Sequence, residues 1–280
     1  MRLVDSHCHL QADRFDDDLE AVVDAAREAG LERILVPGWN AWSSAAALAM
    51  VDRIPWLDAA VGVHPHDASA IDDDAWAEIA ASAADPRVVA IGETGLDYDR
   101  VFSPILAQLS NLRRNLELAA RTGKPAILHC RSRAGERDAQ DALLTELRAF
   151  GDDVPGVVVH SFSGPPDYAE AMIALGGVIS ISGLAFRTGE EATADVVRLV
   201  PRDRLLVETD SPYLAPPGAP RGRNAPEWVR VTATWVAELR GDEPATFGDA
   251  LVAAYDRVFG PRRSGSAARD ERLAGGAGSN

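Results

Sequence analysis

All six histidines of this chain lie at or just beyond the end of a short apolar run. The segments that carry them read LVDSHCH, VGVHPH, AILHC and VVVHSF. Neutral imidazole is a common ligand of transition metals, and it also transfers protons near neutral pH. A histidine that serves packing alone has no reason to favour the ends of strands. The pattern therefore predicts a site at which several imidazole rings meet.

Two of these runs carry histidines in pairs, His7 with His9 and His64 with His66. Residues i and i+2 of a strand share a face. Both rings of a pair can then reach the same ion, so the spacing is suited to metal binding. Each of the other two runs ends in one histidine.

Carboxylates end two further apolar runs, Glu93 in IGETGLD and Asp210 in VETDSP. With His129 and His160 they extend the same pattern. Imidazole with carboxylate is the ligand set of catalytic zinc, manganese or iron, whereas calcium prefers oxygen and structural zinc prefers thiolate. The candidates outnumber the ligands of one open tetrahedral site, so we expect two divalent ions bridged by a carboxylate. Their identity stays open between zinc, manganese, magnesium and cobalt.

Glu93 is the expected bridge, because its strand lies between the first strand and the fifth and sixth strands in chain order. Asp210 is expected to be a metal ligand, the general base for the attacking water, or both. Asp5 and Glu208 each lie two positions before one of the ligands, on the same face and one layer deeper. We expect these two carboxylates to orient the ligands rather than to bind metal.

Apolar runs alternate with stretches of helical periodicity along the chain. The runs lie near residues 2 to 7, 33 to 37, 57 to 63, 87 to 92, 125 to 129, 156 to 160, 177 to 181 and 204 to 209. Such alternation is typical of an α/β protein, and eight repeats favour a (β/α)8 TIM barrel over a doubly wound open sheet. The carboxyl ends of the strands form the catalytic rim of such a barrel, and the histidines would lie there.

A single barrel domain is expected over residues 1–260. Helical stretches near residues 226 to 240 and 246 to 259 follow the eighth run, so we expect an extra C-terminal helix. Residues 261–280 lack apolar periodicity, and we predict a disordered tail there.

The composition excludes several classes of protein. A net charge of −15 argues against a nonspecific coat on nucleic acid, and the two cysteines cannot form a disulfide framework. The first strand begins at Arg2 or Leu3, which leaves no room for a signal peptide, and no run approaches the roughly 20 apolar residues of a membrane span. We therefore expect a cytoplasmic protein without membrane contact. The sequence does not determine its oligomeric state.

Six motifs occur in order between about residues 3 and 258, and the last is followed by RGRNAP. They read DSHCHL, GVHPH, GETGLD, HCR, HSFSG and VETDSPYLAP. In these motifs the chain resembles the TatD family of metal-dependent hydrolases. The resemblance implies a TIM barrel of the metallo-dependent hydrolase superfamily and a deoxyribonuclease, often a 3′-to-5′ exonuclease, that uses divalent cations.

The resemblance also implies a ligand set for each of two ions. One ion would be held by His7, His9, Glu93 and Asp210. The other would be held by Glu93, His129 and His160. The resemblance also implies that His64 and His66 face the substrate.

The chain departs from the family pattern in two places. After the fifth-strand histidine the family usually carries arginine, aspartate and alanine, whereas this chain has Arg131, Ser132 and Arg133, which leaves the substrate preference open. In the preceding helix the usual glutamine, phenylalanine and glutamine are Gln108, Leu112 and Asn115, which we expect to serve packing.

Arginines recur in the loops that follow strands five, seven and eight. They are Arg131, Arg133, Arg137, Arg187, Arg221 and Arg223. One guanidinium group can donate two hydrogen bonds to the oxygens of one phosphate, so a few arginines suffice to bind a short single-stranded end. The expected substrate-binding residues are His64, His66, Arg131, Arg221 and Asn224. Aromatic side chains that could stack on exposed bases are Trp39, Trp42, Tyr98, Phe162 and Tyr213.

The sequence thus favours metal-assisted hydrolysis of phosphodiesters in DNA, at single-stranded or 3′ ends. Hydroxide activated by two metal ions would attack phosphorus, and Asp210 would manage the proton. The alternative is attack on a carbonyl centre by the same ions, in an amide or ester, including deacylation of a D-aminoacyl-tRNA. A catalytically silent scaffold would lack ligands or a base, and this chain has both.

Overall fold

A computed structural model describes residues 1 to 261 of the chain. Its eight strands are β1 Leu3–Asp5, β2 Leu31–Pro37, β3 Leu57–Val61, β4 Val88–Asp97, β5 Ala126–Arg131, β6 Val157–Val159, β7 Val178–Ile181 and β8 Leu205–Val207. Each strand pairs in parallel with the next, in the order of the sequence. All eight predicted strands are present.

Hydrogen bonds between the segments of β1 and β8 bring the two edges of the sheet together. The amide of Ser6 donates to the carbonyl of Val207 at 3.2 Å, and the amide of Asp210 donates to the carbonyl of His7 at 2.9 Å. The sheet therefore forms a (β/α)8 barrel, as predicted. The same bonds fix the backbone on which His7 and Asp210 lie.

Helices cover the outside of the barrel. The described residues form α1 Leu19–Glu28, α2 Ala41–Arg53, α3 Asp73–Ser82, α4 Ile105–Thr122, α5 Asp138–Phe150, α6 Pro166–Ala174, α7 Thr193–Leu199, α8 Val229–Arg240 and α9 Pro244–Phe259. Helix α4 ends where Gly123 adopts a left-handed conformation, φ +64°, which a residue without a side chain does at little cost. None of the helices in the described range is long and apolar enough to cross a membrane.

Helix α9 is the predicted extra helix, and an ion-pair network ties it to the amino ends of the strands. Buried Arg33 donates through Nε to Asp58 at 2.8 Å and through a terminal nitrogen to Asp256 at 2.6 Å. The Tyr255 hydroxyl donates to the same Asp58 carboxylate at 2.9 Å. The network lies at the end of the barrel opposite the histidines. The predicted tail lies outside the described residues, apart from residue 261.

Strand β4 is longer than its apolar run predicts, because it continues beyond residue 92 to Asp97. Its last part pairs with β5, with Asp97 opposite Arg131. Gly95 makes this approach possible, since a Cβ there would lie 1.9 Å from the carbonyl oxygen of His129. The extension carries Glu93 and Asp97 on one face of the barrel interior.

Candidate metal centre

Glu93 lies at the centre of the rim and is 3% exposed. Its Oε2 atom lies 3.3 Å from Nε2 of His7 and 3.6 Å from Nε2 of His9. Asp210 closes this side, with Oδ1 3.4 Å from Nε2 of His9 and 3.9 Å from Nε2 of His7. We call His7, His9, Asp210 and Glu93 Oε2 the Oε2 group.

The other oxygen of Glu93 faces a second set of imidazoles. Its Oε1 atom lies 2.8 Å from Nε2 of His160, 3.2 Å from Nε2 of His64 and 3.3 Å from Nδ1 of His129. We call these atoms the Oε1 group. The two groups adjoin, because the rings of His7 and His160 stack with their centroids 3.9 Å apart. The structure thus brings together all six residues predicted to bind metal and adds His64, which the sequence assigned to the substrate.

The donor atoms fit divalent metal ions. Nε2 of His7 lies 3.2 Å from Nε2 of His9. The distances given above between donor atoms of the two groups run from 2.8 to 3.9 Å. Two ligands about 2.1 Å from one tetrahedral ion lie about 3.4 Å apart. Three sets of buried or half-buried donors, each within 4.8 Å, could hold an ion: His7 with His160 and Asp210; His7 with His9 and Glu93; and His64 with Glu93 and His129.

Burial and neighbouring charges shift the pKa values of the site residues in both directions. Burial favours the neutral form of a carboxyl, but the imidazoles around Glu93, that of His160 most strongly, outweigh burial and hold its pKa well below the ordinary value. Burial lowers the pKa of His64 to about 4 and also lowers the pKa of His7.

Burial also opposes the charged form of His160 and His129, but Glu93 and Glu208 outweigh it and raise the pKa of His160 well above the ordinary value, and Asp97 and Glu93 raise that of His129. A divalent ion would therefore displace protons from these two rings as it binds.

Two buried carboxylates, Asp5 and Glu208, contact candidate ligands from the interior of the barrel. Glu208 is fully buried, and its Oε1 accepts from the amide of Ser161 at 2.5 Å and lies 3.3 Å from Nδ1 of His160. Asp5 accepts from the amide of His7 at 3.2 Å and from the hydroxyl of Thr209 at 2.6 Å. Burial raises the pKa of Asp5 to about 8, and these hydrogen bonds oppose it.

Asp97 is a site residue that the sequence reasoning missed. Its Oδ2 lies 2.8 Å from Nε2 of His66 and 3.4 Å from Nε2 of His129. The rule that found the other residues could have found Asp97, since it ends a strand and shares a face with Glu93. It was missed because the apolar run stops before the strand does.

Helix α4 holds the carboxyl end of β4 through buried amides. Gln108 accepts from the amide of Asp97 at 2.8 Å and donates to the carbonyl of Asp97 at 3.0 Å. Asn115 accepts from the amide of Val63, next to His64, at 3.4 Å. The expectation that Gln108 and Asn115 serve only packing is therefore incomplete, because these amides also hold the backbone that carries Asp97 and His64.

A cleft of about 430 Å³ opens above Glu93. His64, His66 and Arg131 line it, as expected of substrate-binding residues, and Arg100 lines it as well. Arg131 donates through Nε to Asp99 at 2.7 Å, which fixes its side chain at the cleft wall.

Two expected substrate-binding residues are placed elsewhere. Asn224 is fully buried and donates to the carbonyls of Thr209, at 2.9 Å, and of Tyr213. Its amide holds the loop that carries Asp210, and Asn224 is not among the described residues that line the cleft, so the structure places it away from the expected substrate contact. Arg221 is exposed on the loop after β8 and is not among the described residues that line the cleft.

Comparison with known proteins agrees with the resemblance. The family model of the TatD related DNases matches residues 4–260. The chain belongs to the TatD related DNase family. A curated family member, the 3'-5' ssDNA/RNA exonuclease TatD of Erwinia billingiae (strain Eb661), is 38% identical over 266 residues, which are 92% of this chain and 98% of that protein.

Two further proteins support membership of this family. The Bacillus subtilis (strain 168) protein called uncharacterized metal-dependent hydrolase YabD is 34% identical over 238 residues, 85% of this chain and 91% of that protein. The crystal structure of YJJV, a TatD homolog from Escherichia coli k12, superposes with a TM-score of 0.83 at 31% identity and covers 93% of this chain and 98% of that chain.

We predict that Asp97→Asn weakens the affinity for Mn²⁺ about 10- to 100-fold, the usual effect of losing a carboxylate that orients a ligand. The amide removes the negative charge that faces His66 and His129, and its oxygen can still accept from the backbone amides of Asp99 and Arg100. Calorimetric titration of the metal-free protein measures the change.

Asp99→Asn is the matched control, since Asp99 pairs with Arg131 rather than with a histidine. Its Mn²⁺ affinity should equal that of the wild type. An equal loss in both variants, or none in Asp97→Asn, would contradict the orienting role.

Proposed function

We propose that this protein is a divalent-metal-dependent nuclease that hydrolyses phosphodiester bonds at the ends of single-stranded nucleic acid, in the 3′-to-5′ direction. The proposal rests on the position of Glu93, which lies between two groups of imidazoles at the floor of an open cleft. Family membership supports it, and relatives such as that of Erwinia billingiae are named 3'-5' ssDNA/RNA exonucleases.

Two ions would be held by the two groups, with Glu93 as the shared ligand. The first would take the Oε2 group, and the second would take Glu93, His129 and His160. His64 lies as near to Glu93 as these histidines do, so it is a further donor for the second ion or for the substrate. Zinc, manganese, magnesium or cobalt in these places would supply Lewis-acid stabilisation of the charge that develops on phosphate and make water more acidic.

Asp210 would act as the base in this reaction. Its side chain lines the cleft and reaches His9 and His7. Burial raises the pKa of its carboxyl, but the neighbouring His9 and His7 outweigh burial and lower it. The carboxylate is therefore ionised and can take a proton from the attacking water.

The cleft wall would bind the phosphate groups. The chain carries a net charge of −15, yet Arg100 and Arg131 both face the cleft. A guanidinium group offers paired donors to phosphate oxygens. Small neutral amides or esters gain nothing from this arrangement, so the cleft favours phosphodiesters over those substrates. An aminoacyl-tRNA also carries phosphates, so the assay described below includes it.

We predict that Asp210→Asn lowers kcat for hydrolysis of labelled single-stranded DNA about 100- to 10,000-fold, the usual contribution of a general base. The amide cannot take the proton, while the fold should persist because the residue keeps its size. The measurement is a gel assay in Mn²⁺, with far-UV circular dichroism to check folding.

Asp24→Asn, on the exposed side of α1, is the control and should keep full activity. The same assay includes aminoacyl-tRNA and small amides. Hydrolysis of those substrates without hydrolysis of DNA would overturn the proposed function, and wild-type activity in Asp210→Asn would overturn the assigned base.

A second prediction concerns phosphate binding. Arg131→Ala should raise KM for single-stranded DNA about 10- to 100-fold, the effect of losing one charge-assisted contact, with a smaller change in kcat. The slope of the logarithm of the binding constant against the logarithm of the salt concentration should become shallower by about one. Initial rates and affinities at several salt concentrations measure both.

Arg133→Ala is the matched control, because Arg133 is exposed two positions further on and is not among the described residues that line the cleft. Its KM should stay near that of the wild type. A KM unchanged in Arg131→Ala would show that this arginine does not bind phosphate.

A further inference from the structure

Exposed apolar side chains concentrate on the rim that carries the metal centre. Seven large hydrophobic residues are exposed in the described part of the chain. Two of them, Leu175 and Leu199, lie at the carboxyl ends of α6 and α7, at the opposite end of the barrel. The other five lie in loops after strands or in first helical turns: Trp42, Phe102, Ile105, Leu106 and Tyr213.

Trp42 is the largest of these side chains and is 64% exposed. Its ring centroid lies 5.9 Å from that of Trp39, which lines the cleft. Trp39 in turn lies edge-to-face with the metal-site ring of His9, with centroids 5.2 Å apart. The two indoles therefore form a continuous aromatic surface from the Oε2 group to solvent.

The local sequence holds this surface in place. Asn40 caps α2, with its side-chain oxygen accepting from the amide of Ser43 at 3.0 Å. The Ser43 hydroxyl accepts from the amides of Trp39, at 2.8 Å, and Asn40, at 2.9 Å. This capping box fixes the turn between the two tryptophans, so little conformational entropy is lost when a ligand contacts them.

Tyr213 lies on the other side of His9, with ring centroids 5.9 Å apart, and is 50% exposed. The other two aromatic candidates from the sequence are buried, since Tyr98 is 7% and Phe162 1% exposed. The aromatic residues after β8 and β2 thus flank the Oε2 group, while Arg100 and Arg131 lie after β4 and at the end of β5. An aromatic wall and a cationic wall meet at the candidate metal centre.

We propose that Trp39 and Trp42 form a stacking platform for an unpaired nucleobase next to the scissile phosphate. The inference rests on the proposed function, because it places the phosphate at the metal centre. Bases of every type have an aromatic face, so such a platform binds single strands without regard to sequence. Bases within a duplex are already paired and stacked, so they cannot use it. The platform would therefore select single-stranded ends.

The test measures binding of short single-stranded DNA, made resistant to hydrolysis at its 3′ end, to the Mn²⁺-loaded protein by fluorescence anisotropy. Abasic nucleotides replace each of the 3′-terminal bases in turn. In the wild type, one of these replacements should weaken binding about 5- to 100-fold, the range for one base stacked on an aromatic residue.

Trp42→Ala should weaken binding of the intact strand by a similar factor. In this variant, the same abasic replacement should cause no further loss of affinity. Trp42→Phe, which keeps an aromatic ring, should retain most of the affinity. Leu106→Ala is the matched control, since Leu106 is 80% exposed on the same rim but lies in the first turn of α4. This variant should bind as the wild type does.

The platform would be overturned if the abasic replacement weakened binding by Trp42→Ala as much as it weakens binding by the wild type. Equal binding of intact and abasic strands by the wild type would also overturn it. A cleavable strand in parallel assays separates this inference from the proposed function. If the affinity depends on the base only when Trp42 is present, but the cleavable strand is not hydrolysed, the platform would be supported and the proposed nuclease function contradicted.

Discussion

The burial of one negative charge determines how this site is built. Glu93 is almost fully removed from water, and an isolated carboxylate in such a place costs several kcal/mol. The compensation comes from imidazoles on both of its oxygens, at 2.8 to 3.6 Å. No single loop could supply so many rings. A closed parallel barrel, in which the carboxyl ends of all the strands meet, brings them to one point.

The remaining features serve this convergence or use it. Gly95 lets β4 approach β5 closely enough for Glu93 and His129 to meet. Glu208 and Asp97 hold rings from behind, and buried amides of α4 hold the backbone of β4. On the solvent side, arginines and exposed aromatics face the same cleft. In this acidic protein, Arg100 and Arg131 would be the local partners of a phosphate group.

The sequence predicted the barrel well, because strand-end histidines and alternating apolar runs are local patterns. It failed where the chain leaves the regular strand. His64 and His66 were expected to share a face of a strand, but β3 ends at Val61 and the two residues lie at a turn, where their rings meet edge-to-face with centroids 4.3 Å apart. One ring faces Glu93 and the other Asp97. The burial of Asn224 depends on how a long loop folds back, which periodicity does not encode.

Anomalous scattering tests most directly whether Glu93 is shared between two metal ions. Crystals soaked in Mn²⁺ and measured at the manganese edge should show two peaks flanking Glu93. One should lie among His7, His9 and Asp210, and the other beside His129 and His160. Peaks remote from Glu93, or none at saturating Mn²⁺, would contradict the account.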